Sequence, residues 1–281
     1  MITLDSPREE LVAAGEQRQA DYVGNRPFAH IVLDDFVDPG VLDGVLAEVD
    51  ALDRSKRYAK FMDRKTDHNK FAFMPDVVGP KTAALINFLN SGVFIAYLEK
   101  LTGISGLLAD PSYFGGGVHW IENGGFLEVH ADFNHLKKYN LERRINLLLY
   151  LNKDWDDAYN GHLELWDRPS MTKAKAVAPL FNRCVIFSTT QESLHGHPVP
   201  LAAPPGRARR SIALYYYTNT WNPDGQAHST LYHVSRNNPV RVKPLRIVRG
   251  VLRDLIPPIF RKAVRAVKKA RRGEKLSELW D

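Results

Sequence analysis

The sequence has almost no cysteine and no long apolar segment. One of its 281 residues is cysteine, Cys184, which excludes the internal disulfide framework that small secreted domains depend on. Residues 1–22 lack the apolar centre of a secretory signal, and no run reaches the ~18 apolar residues of a membrane span. These absences favour a reducing compartment, and we expect the protein to be cytoplasmic.

Positive charge is concentrated in the last part of the chain. Residues 1–240 carry a net charge of −3 and residues 241–281 carry +9. Apolar residues lie between the basic ones in this tail, and Pro257-Pro258 divides it into two predicted helices. Such helices can lie on an anionic membrane surface, which would make the protein peripheral to the membrane, or bind an acidic partner. The alternative is that they pack on the protein body by their apolar faces. The tail lacks interleaved aromatic residues and so carries no clear nucleic-acid signature.

The rest of the sequence changes from helical to strand character near Asp110. Apolar spacing predicts helices over 6–24, 41–53 and 81–101, with a loop-rich excursion over 54–76. Short apolar runs then alternate with Gly, Asn, Asp and Pro, and they predict strands at 118–121, 126–133, 144–151, 162–166, 185–188 and 211–218. Strands at this spacing without intervening helices are typical of a sandwich or jelly roll.

One stretch of this β-rich region has the residue types of a metal site. His130 and Asp132 are two residues apart, so they share a face on an extended strand. His195 from a remote strand is our candidate for a third ligand, although His197 is also available and one sequence does not decide between them. Two imidazoles and one carboxylate form the facial triad of non-haem Fe(II) oxygenases, which leaves positions open for co-substrate and dioxygen.

With these motifs in place, residues 26–221 resemble the 2-oxoglutarate-dependent Fe(II) oxygenases, in their prolyl-4-hydroxylase-like branch. The resemblance rests on His130-Ala131-Asp132, Tyr150-Leu151-Asn152-Lys153-Asp154-Trp155, Gly161-His162-Leu163-Glu164-Leu165, His195 and Arg210-Ser211-Ile212-Ala213-Leu214-Tyr215-Tyr216. It implies a mainly β fold with flanking helices (α+β), built on a double-stranded β-helix or jelly-roll core. It also implies Fe(II) held by His130, Asp132 and His195, with 2-oxoglutarate and O2 as co-substrates and ascorbate as a stimulant.

The resemblance further implies two contacts to 2-oxoglutarate. The hydroxyl of Tyr150 contacts it, and a basic residue on the strand after the distal histidine pairs with its far carboxylate. A buried carboxylate is costly unless it is paired, and the arginine fork matches it bidentately. Arg209 and Arg210 both qualify by position. Because Arg210 shares a strand face with apolar Ile212 and Leu214, which suggests the barrel interior, we favour Arg210 as the co-substrate-binding and catalytic residue.

The sequence therefore predicts three parts: an N-terminal helix over 1–25, an oxygenase jelly-roll domain with a helical buttress over 26–225, and a basic helical extension over 226–281. The predicted activity is hydroxylation of an unactivated C–H bond, in the first place of a prolyl or other residue of a peptide or protein. Halogenating relatives have a small residue where this chain has Asp132, so the carboxylate favours hydroxylation. The alternatives are a free amino acid or small biosynthetic intermediate as substrate, a non-catalytic jelly-roll binding module, and a cupin-like metal enzyme without 2-oxoglutarate.

Overall fold

The computed structural model describes residues 1–56, 67–220 and 227–233. In these ranges the chain forms α1 (Arg8–Gly24), β1 (His30–Leu33), α2 (Pro39–Asp50), β2 (Asp67–Phe73), α3 (Pro80–Leu89), α4 (Gly92–Thr102), β3 (Leu108–Ala109), β4 (Gly117–Ala131), β5 (His135–Leu136), β6 (Leu141–Tyr150), β7 (Leu163–Asp167), β8 (Thr172–Val177), β9 (Cys184–Ser188), β10 (Leu194–His197), β11 (Arg209–Thr218) and β12 (Leu231–His233). Short 3-10 helices lie at Arg54–Lys56, Pro75–Val77 and Asp157–Tyr159.

The described strands join one antiparallel sheet that curls on itself. Its main path runs β1-β9-β6-β11-β4-β10-β7-β8, while β2 and β12 pair with β4, β3 pairs with β11, and β5 pairs with β6. β7 is distant from β6 and β9 along this path, yet Leu163 and Leu165 of β7 pack against Tyr150 of β6 and Phe187 of β9. The two halves of the sheet therefore face each other around an interior, which confirms the predicted mainly β jelly roll.

The sheet has two apolar faces, and the helices cover one of them. Ile145, Leu147 and Leu149 of β6 share one core cluster with residues of α1 to α4, and so do the alternate residues of β9 and β11. The opposite residues of the same strands point into the barrel. This arrangement confirms the predicted flanking helices. Because both faces of these strands are apolar, hydrophobicity alone does not distinguish a side chain that points into the barrel from one that packs beneath a helix.

Two predicted elements differ in their extent. The helix predicted over 81–101 is two helices, because the chain breaks at Asn90 and Ser91, and the hydroxyl of Ser91 accepts a hydrogen bond from the Phe94 amide at 3.3 Å. Serine at an N-cap satisfies an amide that the first helical turn leaves unpaired. The strands predicted at 118–121 and 126–133 are one strand, β4, which continues through the polar residues between them.

Within the described ranges no single helix is long and apolar enough to cross a membrane; α3 and α4 together, bent by 48°, would be so by length and composition alone. The basic tail, residues 241–281, lies outside the described residues, and of the predicted helical extension over 226–281 only residues 227–233 are described. The short strand β12 falls in that part and pairs with β4.

α1 crosses α4 at Gly15, which allows a test of this packing. A β-carbon at Gly15 would lie 2.6 Å from the Tyr97 carbonyl oxygen. We therefore expect Gly15→Ala to lower the free energy of unfolding by about 1–3 kcal/mol through overpacking, even though alanine favours a helix. Gly92→Ala is the control, since an added methyl there meets nothing within 4 Å. Thermal unfolding measures both variants, and equal melting temperatures for Gly15→Ala and the wild type would contradict the prediction.

Candidate metal and co-substrate site

Three side chains with metal-ligating atoms meet in the interior, where β4 and β10 lie side by side. His130 lies at the end of β4 and Asp132 directly follows that strand. His195 of β10 lies directly opposite His130 in the strand register. Their ligand atoms all lie within 4.8 Å of one another, and the two imidazole centroids are 4.4 Å apart. His197 does not belong to this group. The structure thus brings together the three predicted ligands and favours His195 over His197.

Both histidines are held in the tautomer that a metal needs. The Nδ1 of His130 lies 2.8 Å from the Glu128 carbonyl oxygen, and the Nδ1 of His195 lies 2.9 Å from the Ser193 carbonyl oxygen. A carbonyl oxygen only accepts, so each Nδ1 carries the proton and each Nε2 has a free lone pair. Both Nε2 atoms lie 3.5 Å from an Asp132 carboxylate oxygen. Histidine ligands in metal sites are commonly oriented through their second nitrogen in this way.

The carboxylate of Asp132 is fixed by two further side chains on β6. Asn146 donates to its Oδ2 from Nδ2 at 2.7 Å, and the Nη2 of Arg143 lies 3.1 Å from the same oxygen. Arg143 also donates to the Asn146 amide oxygen from Nε at 3.0 Å and Nη2 at 2.7 Å. Since these donors engage Oδ2, the other oxygen, Oδ1, remains for a metal ion.

Arg143 is itself held between two aromatic rings. Its guanidinium carbon lies 3.6 Å from the ring centroid of Tyr215 and 4.7 Å from that of Phe133. The side chain is 2 % exposed, so its charge is balanced inside the protein by Asp132 and by the faces of the rings. Sequence analysis did not identify Arg143 or Asn146.

The electrostatics of the cluster suit a divalent cation. Burial opposes ionisation of Asp132, but Arg143 and the neighbouring histidines outweigh it and hold the pKa of that carboxyl well below its usual range. Burial, together with the adjacent His130, lowers the pKa of His195 to about 4. At neutral pH the cluster therefore offers a carboxylate and an unprotonated imidazole of His195. Two imidazoles and one carboxylate fit Fe(II) in number and type.

A second polar group in the same interior is the pair formed by Arg209 and Tyr150. Arg209 is 5 % exposed and Tyr150 is fully buried. Arg209 donates from Nη2 to the Tyr150 hydroxyl at 3.0 Å and from Nε to the Gly161 carbonyl oxygen at 2.7 Å. Burial raises the pKa of Tyr150 although Arg209 opposes the effect, so its hydroxyl stays protonated. This pair offers the hydrogen-bond donors that a buried carboxylate requires.

The prediction that Arg210 faces the interior is wrong. Its guanidinium forms an ion pair with Asp50 of α2 and lies 5.5 Å from the ring centroid of Trp120, on the face that the helices cover. The strand parity was correct, since Arg210 does share a face with Ile212 and Leu214. Those residues pack beneath the helices rather than in the barrel, so the interior residue is Arg209.

The buried Asn152 fixes the backbone at this point. Its side-chain oxygen accepts from the Arg210 amide at 2.8 Å, and its Nδ2 donates to the Pro179 and Arg210 carbonyl oxygens at 2.8 and 3.1 Å. The asparagine of the Tyr-Leu-Asn-Lys-Asp-Trp segment thus locks the start of β11 against the end of β6. Along β11, which pairs with β4 through Arg209 opposite Ile121 and Arg210 opposite Trp120, the two arginines then point to opposite faces.

Asn146 allows a test of how the Asp132 carboxylate is positioned. Asn146→Ala removes the 2.7 Å donor to Oδ2, and we expect Fe(II) affinity to fall roughly 10- to 100-fold, the usual effect of losing a group that orients a ligand. The control is Asn87→Ala on an exposed position of α3. Anaerobic metal titration, with competition by a chelator of known affinity, measures both variants. Equal affinity of Asn146→Ala and the wild type would show that Arg143 alone orients the carboxylate.

The region that contains this site matches a known protein family. Residues 116–217 match the model of the 2OG-Fe(II) oxygenase superfamily. The matched range includes all three residues of the metal cluster together with Tyr150 and Arg209. The match confirms the resemblance inferred from the motifs, and with the His-Asp-His cluster it confirms Fe(II) and 2-oxoglutarate as the cofactor and co-substrate. No curated protein matches the chain in a sequence comparison.

Solved structures give the same result for the fold. A prolyl hydroxylase from Trichoplax adhaerens, in complex with a hypoxia inducible factor oxygen degradation domain peptide fragment, is 18 % identical with a TM-score of 0.54, over 74 % of this chain and 91 % of that one. A prolyl-4-hydroxylase from Pseudomonas putida is 15 % identical with a TM-score of 0.51, over 74 % and 98 %. At these identities the likeness concerns the fold alone.

Proposed function

We propose that this protein, whose residues 116–217 match the 2OG-Fe(II) oxygenase superfamily, is a dioxygenase that hydroxylates an unactivated C–H bond of a prolyl or other residue in a peptide or protein. The observation that carries the proposal is the interior cluster of His130, Asp132 and His195, with both histidine Nε2 atoms within 3.5 Å of the carboxylate. It leaves the remaining coordination positions of an octahedral ion to other ligands.

Each residue of the site has a distinct task in this proposal. His130, Asp132 and His195 hold Fe(II), while Asn146 and Arg143 orient the carboxylate. Arg209 and Tyr150 bind the far carboxylate of 2-oxoglutarate. When both are bound, Fe(II) and 2-oxoglutarate supply the oxidising chemistry: O2 is consumed, 2-oxoglutarate becomes succinate and CO2, and one oxygen atom enters the substrate C–H bond.

The interior around these groups limits the access of water. Phe187 packs on the His195 ring with centroids 4.7 Å apart, and Leu163 and Leu165 line the wall beside Tyr150. An apolar wall lowers the local dielectric constant and so strengthens the attraction between Arg209 and a carboxylate. The carboxylate at Asp132 supports hydroxylation, because it takes the position that a halide would need.

The choice of a peptide substrate is supported by the two solved structures of similar fold, both of which are named as prolyl hydroxylases. The test is to incubate the full-length protein with Fe(II), 2-oxoglutarate, ascorbate and O2, with a library of proline-containing peptides in one arm and free amino acids in the other. We expect succinate to form in step with a mass gain of one oxygen atom on a peptide.

The control in this assay is His195→Gln, which should form neither succinate nor hydroxylated product. Oxygen incorporation only in the free amino acid arm would contradict a peptide substrate and leave the dioxygenase activity standing. Failure of the folded, iron-loaded protein to turn over 2-oxoglutarate in either arm, even slowly and uncoupled, would contradict the activity itself.

A further inference from the structure

His197, two positions after the proposed iron ligand His195, takes no part in the site described so far. We propose that His197 donates a hydrogen bond to the far carboxylate of bound 2-oxoglutarate, beside Arg209. The inference rests on the proposed function, because it assigns a further contact to the same co-substrate. It makes the carboxylate-binding end of the pocket a set of three residues: Arg209, Tyr150 and His197.

His197 is buried without a hydrogen-bond partner. It is 3 % exposed, and neither its Nδ1 nor its Nε2 has a partner within residues 1–56, 67–220 and 227–233. In those same ranges each of the other buried histidines holds at least one ring nitrogen on a backbone carbonyl oxygen: His30, His119, His130 and His195. A buried polar atom without a partner is costly. An imidazole in that state therefore points to a group that is bound when the protein works.

The backbone of β10 holds His197 firmly in its position. The register of β10 on β4 shifts between His195, which pairs with His130, and His197, which pairs with Leu127. Between them, a β-carbon at Gly196 would lie 2.8 Å from the Glu128 carbonyl oxygen. The glycine lets the two strands approach closely through the shift, so the sheet fixes the backbone position of His197.

Two groups of the pocket lie close enough to His197 to act on its ring electrostatically. They are Arg209 and His130, and the third such group, Lys70, lies on β2. Arg209 already uses Nε and Nη2 on Gly161 and Tyr150, and its Nη1 has no hydrogen-bond partner in the described part of the chain. A carboxylate accepts several hydrogen bonds at once. One carboxylate can therefore take an N–H from Arg209, the hydroxyl of Tyr150 and an N–H from His197.

The experiment uses full-length protein with Fe(II) under anaerobic conditions and compares two ligands. The first is 2-oxoglutarate. The second is 2-oxopentanoate, which has the same 2-oxo acid end and chain length but lacks the far carboxylate. The variants are His197→Leu, which removes both ring nitrogens, and His197→Gln, which keeps a donor of similar reach. Equilibrium binding of each ligand, binding of Fe(II) alone, and the melting temperature are measured for each variant.

We expect His197→Leu to weaken 2-oxoglutarate binding roughly 10- to 100-fold, as for a hydrogen bond to a charged group. Binding of 2-oxopentanoate and of Fe(II) should remain within about 2-fold of the wild type, and His197→Gln should recover part of the 2-oxoglutarate affinity. In the double variant His197→Leu, Arg209→Gln, the fold-loss of 2-oxoglutarate affinity should be smaller than the product of the two single fold-losses, because both residues bind the same carboxylate.

Three results with the His197 variants would overturn this proposal and leave the proposed function standing. Equal 2-oxoglutarate affinity of His197→Leu and the wild type would mean that water satisfies the ring. Equal losses for 2-oxoglutarate and 2-oxopentanoate would place His197 in a general structural role, and loss of Fe(II) binding would make it a metal ligand. If the wild type binds Fe(II) but not 2-oxoglutarate, the proposed function fails as well, and this result is distinct from a failure confined to His197.

Discussion

Asp132→Asn is expected to abolish measurable Fe(II) binding, with a loss of affinity of at least about 100-fold. Loss of a residue that merely orients a metal ligand costs roughly 10- to 100-fold, and Asp132 is the one anionic residue of the cluster. Asparagine keeps the shape of the side chain, so the loss reports the charge and the donor atom. Anaerobic titration with chelator competition measures it.

The same variant has a second expected effect, on stability. Arg143 is buried against Asp132 at 3.1 Å, and removal of one partner of a buried ion pair costs about 3–5 kcal/mol because the other charge is left uncompensated. Asp132→Asn should therefore lower the melting temperature. Adding Arg143→Met should restore part of the stability without restoring metal binding. Asp5→Asn, on an exposed turn, is the control, and retention of Fe(II) affinity in Asp132→Asn would contradict the assignment of the cluster.

The second large effect concerns the two adjacent arginines of β11. Arg209→Gln should weaken 2-oxoglutarate binding by roughly 100-fold or more, because truncation of one partner of a buried charge pair costs about 2–5 kcal/mol. Arg210→Gln should change the affinity less than about 3-fold. Its guanidinium lies on the opposite face, paired with the half-exposed Asp50, and such a pair contributes only about 0–1 kcal/mol to stability.

The comparison of these two variants is internally controlled, since they are neighbours on one strand with the same change of charge. Binding is measured by titrating 2-oxoglutarate into iron-loaded protein without O2. A larger loss for Arg210→Gln than for Arg209→Gln would reverse the assignment. Equal small losses would mean that neither arginine binds the far carboxylate.

Much of the site could be predicted from the sequence because it depends on short-range strand geometry. His130 and Asp132 share a face since the side-chain period of a strand is two. The same period, counted back from Tyr150, would have placed Asn146 in the interior as well. That the three proposed ligands meet follows from the pairing of β10 with β4; their role as iron ligands stays a prediction.

Other features could not be predicted because they depend on packing between distant segments. Arg143 reaches Asp132 only because the register of β6 on β11 shifts, with Tyr216 opposite Ile145 and Tyr217 opposite Arg143. A single sequence does not show such a bulge. Likewise, Ile212 and Leu214 are as apolar as barrel residues, and only the helices packed over them show that Arg210 points away from the interior.

The contact of Tyr232 with the metal cluster has the same origin. Its ring centroid lies 5.3 Å from that of His130, because β12 pairs with β4 beside the cluster. No motif marks this residue in the sequence. Pairing across about a hundred residues of chain is set by the whole sheet rather than by local pattern.

The most direct test of the site is an anaerobic titration of the iron-loaded wild-type protein with 2-oxoglutarate, followed by visible absorption. Chelation of Fe(II) by the 2-oxo acid gives a charge-transfer band that neither component shows alone. We predict that the band appears and saturates in the wild type, is absent in His195→Gln, and requires much higher 2-oxoglutarate in Arg209→Gln. Absence of the band in folded, iron-loaded wild-type protein would contradict a 2-oxoglutarate site and favour a jelly-roll binding module.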